Sequence, residues 1–136
     1  MNNLKRDEIL KVLNQAVCFY RECDLDGFMG LVADSDDVIF VGTGTEDVMV
    51  GYNQIRAGLM LDFEMFDSIL ITYEDLFFTE KGDTVIVCMK VEAEIVCGED
   101  VEEIDARQTL VFGKYADEWK IVHSHFSFAQ ETGLMR

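Results

Sequence analysis

Residues 69–128, ILITYEDLFFTEKGDTVIVCMKVEAEIVCGEDVEEIDARQTLVFGKYADEWKIVHSHFSF, decide the fold. Four runs in this stretch are rich in β-branched and aromatic residues, with apolar and polar side chains alternating along much of their length. They cover roughly Ile69 to Thr79, Thr84 to Val96, Ile104 to Tyr115 and Trp119 to Phe128, and a period of two marks a strand with one buried face. Between them stand Glu80-Lys81-Gly82-Asp83, Cys97-Gly98-Glu99-Asp100 and Ala116-Asp117-Glu118, residue types that suit tight turns. No helical spacing interrupts the series. Long strands joined by short turns pair antiparallel.

Upstream the period changes. Leu4 to Cys23 carries Ile9, Val12, Leu13, Ala16, Tyr20 and Cys23 on one stripe, the spacing of an amphipathic helix. Asp24-Leu25-Asp26-Gly27 interrupts it, and Phe28 to Ala33 reads as a second, short helix. Asp37 to Gly42 reads as a strand, with Asp47 to Val50 as its hairpin partner across Thr43-Gly44-Thr45-Glu46. Gly51 to Phe66 returns to helical spacing through Tyr52, Ile55, Leu59, Phe63 and Phe66. Helices first and long strands last predict an α+β domain rather than an alternating parallel one. A strongly curved antiparallel sheet covered by three N-terminal helices forms a cone, with a pocket between helix and sheet. One domain, 1–136, is expected.

Twenty-seven acids against eleven bases leave a formal charge of −16. That field repels a phosphate backbone and an anionic membrane surface, so neither nucleic acid nor membrane is an expected partner. No apolar run approaches the roughly 20 residues of a membrane span, and no signal-peptide core follows the polar first residues. A cytoplasmic location is the resulting expectation. Cys18, Cys23, Cys88 and Cys97 form no CxxC pair and no zinc spacing, so free thiols are expected. No cofactor is expected.

The order of elements and three motifs resemble one superfamily. Asp24-Leu25-Asp26-Gly27 before Leu31-Val32-Ala33-Asp34 resembles the short second helix of ketosteroid-isomerase-like and SnoaL-like proteins. Val38-Ile39-Phe40-Val41-Gly42-Thr43-Gly44, then Val50-Gly51 and Ile55-Arg56, resembles their first hairpin and third helix. Arg107-x-Thr109 with Trp119-Lys120-Ile121-Val122-His123-Ser124-His125-x-Ser127 is similar to the closing hairpin of SnoaL-like domains and of the calcium/calmodulin-dependent protein kinase II association domain. The resemblance, to the nuclear transport factor 2-like superfamily, covers nearly the whole chain. It implies the cystatin-like cone, a homodimer through the outer sheet face, and a pocket. Isomerases, cyclases, dehydratases and assembly domains share this fold, so fold alone does not choose a function. Laid on the steroid isomerase pattern, which is also a standard illustration of pKa tuning, the aspartate base falls on Phe40, the tyrosine on Ala16 and the second acid near Thr109. None of those three groups is kept here. Phe40 and Thr109 enter the candidate site as pocket positions only.

Strand alternation supplies the remaining candidates. Odd positions of the last strand place Trp119, Ile121, His123, His125 and Ser127 on one face. A turn that pairs Tyr115 with Trp119 sets His123 opposite Val111, His125 opposite Thr109, and Arg107 opposite Ser127. The expected site is therefore His123 and His125 as proton-transfer groups, with Arg107 holding an anionic ligand end. Tyr73, Trp119, Thr109, Phe40 and Phe63 complete the ligand wall. The alternative is structural, with Arg107 paired to Asp105 or Glu103 at the strand's start. His123-x-His125 also has the spacing of two metal ligands, but no third ligand stands in a recognisable motif, and no metal is expected. The leading function is a small-molecule pocket, acting by proton transfer on an apolar or carbonyl-bearing compound. Its rival is a non-catalytic association domain. A homodimer is expected in either case, through an outer face carrying Leu110, Phe112, Val122 and Phe126.

Overall fold

A computed structural model of the chain describes residues 3–129; Met1, Asn2 and residues 130–136, and with them both ends of the expected 1–136 domain, lie outside the described residues. Helix α1, Asn3–Arg21, buries Ile9, Leu13 and Ala16, the stripe its spacing predicts. It stops where Cys23 takes a left-handed backbone, φ 52°. Asp24 then caps α2, Leu25–Met29, its carboxylate accepting from the Gly27 amide. Gly27 has no room for more: an added Cβ would lie 2.4 Å from the Phe19 ring. The short helix is nearer the turn than expected and buries Phe28 and Met29.

Strands β1, Ile39–Val41, and β2, Val48–Val50, form the first hairpin. Helix α3, Tyr52–Met65, follows from Gly51, whose φ of 90° and ψ of 152° lie where side-chain-bearing residues are strained. Ile55, Leu59 and Phe63 face the core. Strands β3, Ser68–Lys81, β4, Thr84–Cys97, β5, Asp100–Tyr115, and β6, Glu118–Phe128, then run without a further helix.

All six strands lie in one open sheet, ordered β2-β1-β6-β5-β4-β3. It is not wholly antiparallel: β1 lies parallel to β6, with Phe40 beside Ser124. Its fold is the expected mixed α+β cone, a curved sheet with N-terminal helices packed on its inner face. The core sits between them, where Val85, Val87, Phe112 and Ile121 meet Ile9, Leu13, Met29 and Ile55.

Two bulges set which residues face that core. Between Glu74 and Phe77 in β3, three steps match two on β4, and Asp75 takes φ 52°. In β6, Val111 pairs with His123 while Phe112 pairs with Ile121, leaving Val122 as the extra residue. A bulge of this kind moves every later side chain to the other face. The expected outer face is corrected accordingly. Leu110 and Phe112 are buried in the core, Phe126 lines the cavity, and of the four only Val122 is on the outside, beside Gly113. The outer face instead carries Phe77 and Leu70, 69% and 52% exposed, in the rows of Thr109, His125 and Glu94.

Gly51 makes a direct test of this backbone. Gly51→Ala should destabilise the protein by about 1–3 kcal/mol, the cost of holding a side-chain-bearing residue in that region. Urea unfolding followed by circular dichroism will read it as a lower midpoint with unchanged slope.

Candidate functional site

The helices and the curved sheet do not close on each other completely. A cavity of about 370 Å³ remains between α1, the β1–β2 loop, α3 and the inner face of β3 to β6. Most of its wall is apolar or aromatic: Phe28, Phe40, Leu59, Phe66, Ile71, Val91, Leu110 and Phe126 are typical. The polar wall residues are few. Tyr20 comes from α1, Asp62 from α3, Tyr73 from β3, Asp47 and Thr43 from the β1–β2 loop, Gln108 and Glu102 from β5, and Ser124 from β6.

Tyr20 is held edge-on between two rings, 5.6 Å from Phe28 and 4.9 Å from Phe63 between centroids. Tyr20 and Tyr73 are both half-buried and line the cavity. Burial pushes the Tyr73 phenol up to about 12. Burial, and then the Asp62 carboxylate, push Tyr20 higher still. Both are neutral hydrogen-bond donors at physiological pH, and neither forms a hydrogen bond with another described residue. Burial, and secondarily the charge of Asp47, raise the Asp62 carboxyl above the usual carboxylate range. Gln108 donates from Nε2 to the Ser124 hydroxyl, 3.0 Å away.

Of the expected site, Tyr73 and Phe40 line the cavity, and Phe63 stands behind Tyr20. Arg107, Thr109, His123 and His125 are gathered as expected: Arg107 pairs with Ser127, Thr109 with His125 and Val111 with His123. The expectation that they point into the cone is corrected, because the Val122 bulge turns that face outward. Arg107 is exposed and donates to the Phe128 carbonyl at 3.4 Å, not to Asp105 or Glu103. Burial on the outer face, and then the neighbouring His125, lower the His123 pKa. Trp119 precedes the bulge and does face inward, but at the narrow end, away from the cavity. Its indole N–H donates to Glu8 at 2.8 Å, and the Lys5 and Lys114 ammonium groups lie 5.9 and 5.4 Å from its ring.

Asp62, Gln108 and Ser124 escaped the sequence reading. Asp62 had a visible signal: Ile55, Leu59, Asp62 and Phe66 fall at three- and four-residue steps, so a carboxylate interrupts an apolar stripe. Gln108 likewise interrupts the series Ala106, Leu110, Phe112. Ser124 required the bulge. Among the described residues, no group of three or more His, Cys, Asp or Glu is placed to hold a metal. No helix among them is long and apolar enough to cross a membrane.

A helix-covered cone of this kind, with β1 parallel to the last strand, has a family. The SnoaL-like domain model matches residues 9–131. The chain belongs to the SnoaL-like family. No functionally curated protein is similar to it in sequence. Among solved structures, this SnoaL-like chain is similar to a nuclear transport factor 2-like superfamily protein from Salmonella enterica, with TM-score 0.87, 18% identity, and 96% of this chain and 94% of that one covered. It is similar also to a candidate dehydratase of the NTF2-like family from Streptomyces avermitilis, with TM-score 0.84, 19% identity, and 92% and 96% covered. A third is a candidate calcium/calmodulin-dependent protein kinase type II association domain from Thiobacillus denitrificans, with TM-score 0.74, 20% identity, and 88% and 93% covered. At these identities the likeness is one of fold.

The raised Asp62 carboxyl has a consequence for stability. Its protonated form is favoured in the folded state, so its contribution is present below the unfolded value of about 3.9 and lost as pH rises through the raised folded value. Ionised Asp62 therefore weighs against folding at neutral pH. Asp62→Asn should raise the melting temperature at pH 7 and give no gain near about pH 3, below the unfolded carboxyl value. Calorimetry at the two pH values will check the sign.

Proposed function

We propose that this SnoaL-like protein binds a small, largely apolar, carbonyl-bearing molecule in the cone and moves a proton on it, in the manner of an isomerase, cyclase or dehydratase. The observation that carries the reading is the pair of unbonded phenols, Tyr20 and Tyr73, on the wall of an apolar cavity that also holds the raised carboxyl of Asp62. Its volume, about 370 Å³, lies within the range of small-molecule sites. A neutral phenol on a largely apolar wall donates to an oxygen on which negative charge develops, and beside apolar groups such a bond is worth more than in water. A carboxyl raised towards neutrality is better matched to taking and returning a proton than an ordinary aspartate. Asp62 is the base in this reading, and Tyr20 and Tyr73 hold the carbonyl oxygen.

The steroid isomerase pattern put its tyrosine on Ala16; here Ala16 is cavity wall and Tyr20 stands one helical turn farther along α1. A non-catalytic association domain with a filled cone would not need such a cavity. His123, His125, Arg107 and Thr109 have a different place in this proposal. With Phe77 and Leu70 they belong to an outer face that we assign to a homodimer, and light scattering should give twice the 15.5 kDa chain mass; a single-chain mass at every dilution would remove the dimer.

The catalytic reading is tested by deuterium exchange at the carbon beside the carbonyl of 2-tetralone, followed by NMR in heavy water. The protein should accelerate exchange over buffer, and the rate should rise with pH through the raised Asp62 value, because the base must be ionised. Asp62→Asn should lower the rate by roughly 10²-fold or more, the scale of lost general base catalysis. Exchange at the buffer rate with 2-tetralone bound, or an unchanged rate in Asp62→Asn, would exclude this mechanism.

A further inference from the structure

The cavity wall also discriminates between ligand charges. Its acidic residues are Asp47, Asp62 and Glu102, and among the described residues no Lys, Arg or His lines it. Nearby cations are committed elsewhere: Arg56 pairs with Asp26, Lys90 with Asp75 on the outer face, and Arg107 is on that face too. A carboxylate or phosphate entering here would lose water and find no counter-charge, in the field of a chain carrying −16.

A cation meets the opposite situation. Asp47 and Glu102 are exposed residues that also line the cavity, which puts them where it meets solvent. One Asp47 oxygen accepts from the Gly44 amide at 2.7 Å, which orients the carboxylate. Asp62 lies within its field, which adds to the rise of the Asp62 carboxyl, and among the described residues no Lys, Arg or His of the wall offsets the two charges. Independently of these acids, the half-buried Tyr20 and Tyr73 line the same cavity, and neither phenol bonds to another described residue. Their rings, with Phe66 and Phe126, offer aromatic faces that attract a cation, and their oxygens can accept from an N–H.

We propose that the ligand of this cavity carries a protonated nitrogen, seated among Asp47, Asp62 and Glu102, on an apolar body that lies against the aromatic wall. The inference rests on the reading of the cavity as a ligand site, and it replaces the anionic ligand end that Arg107 was expected to hold. The titratable groups that interact with Asp62 are Asp47 from the β1–β2 loop and Tyr20 from α1; Tyr73 from β3 and Cys23 in turn neighbour Tyr20. All are neutral or anionic at pH 7, so ionisation of Asp62 strengthens the attraction.

Three probes of matched shape separate the possibilities: 2-phenylethylamine, 2-phenylethanol and phenylacetate, each titrated calorimetrically into the full chain at low salt. The amine should bind roughly tenfold or more tightly than the alcohol, as an ion-paired hydrogen bond exceeds a neutral one, and phenylacetate should not bind. Amine affinity should fall as pH is lowered through the raised Asp62 value. Asp62→Asn, and separately the double variant Asp47→Asn with Glu102→Gln, should bring the amine down to the alcohol's affinity. These changes barely alter the net charge, so a preference due only to the overall field would survive them and overturn the proposal. Phenylacetate binding as tightly as the amine, or equal affinity for amine and alcohol in the parent, would overturn it too. Ala93→Trp, which places a large ring in the cavity, tells the two readings apart. Alcohol binding that this variant abolishes keeps the cavity as a ligand site even if the charge preference fails. Binding of none of the three probes, or binding indifferent to Ala93→Trp, removes both.

Discussion

One extra residue in the last strand, Val122, governs what the interior of this molecule contains. The free edge of β6 has to serve two different neighbours. At Ile121 its backbone bonds to the segment after α2, the amide donating to Leu31 and the carbonyl accepting from Ala33. From His123 to His125 it pairs with β1. The bulge lies at the junction, where the strand changes partner and the sheet bends. Before it, Trp119 closes the narrow end and Ile121 reaches the cavity from the core; after it, Ser124, Phe126 and Phe128 line the cavity. A β6 without the bulge would put two imidazoles where a serine and a phenylalanine now stand.

The two ends of the cone are built from different interactions. At the narrow end α1 is tied to the sheet by the Trp119 bond to Glu8 and the Lys5 pair with Glu80, over a core in which Ile9, Met29 and Phe112 are fully buried. At the wide end the helices and the sheet diverge, and apolar side chains line the cavity instead of meeting one another. The half-buried Asp62 carboxyl and the Tyr20 and Tyr73 phenols are gathered at this end.

Much of this was legible in the sequence, because the strongest signals are local. The period of two between residues 69 and 128 and the helical stripes upstream located each element, and the pairing of Arg107 with Ser127 and Thr109 with His125 followed from turn and alternation. What failed was the assumption that alternation continues unbroken. Trp119 and His123 were placed on one face, and Val122 separates them. Nothing within the strand announces the bulge, which lies where β6 passes from the Leu31–Ala33 segment, some ninety residues earlier, to β1. The parallel pairing of β1 with β6 was hidden for the same reason. Asp62 is a different case: its helical position is readable, but a lone carboxylate on an apolar stripe belongs to no motif that marks it as part of a site.

The bulge in β3 bears on how the molecule behaves in a crowd. At fourteen residues β3 is a long strand, it lies at the sheet's margin with one side unpaired, and Leu70 and Phe77 stand exposed along it. Such a margin invites another chain to add itself as a further strand and begin an aggregate. Asp75, in its left-handed conformation, breaks the regular spacing of free amides and carbonyls midway, so an incoming strand finds only short stretches in register. Glu74, Asp75, Glu80 and Lys81 add charge along the same rim. The irregularity that re-aims Leu76 and Phe78 towards the core thus also guards the open margin against recruitment into amyloid-like stacks.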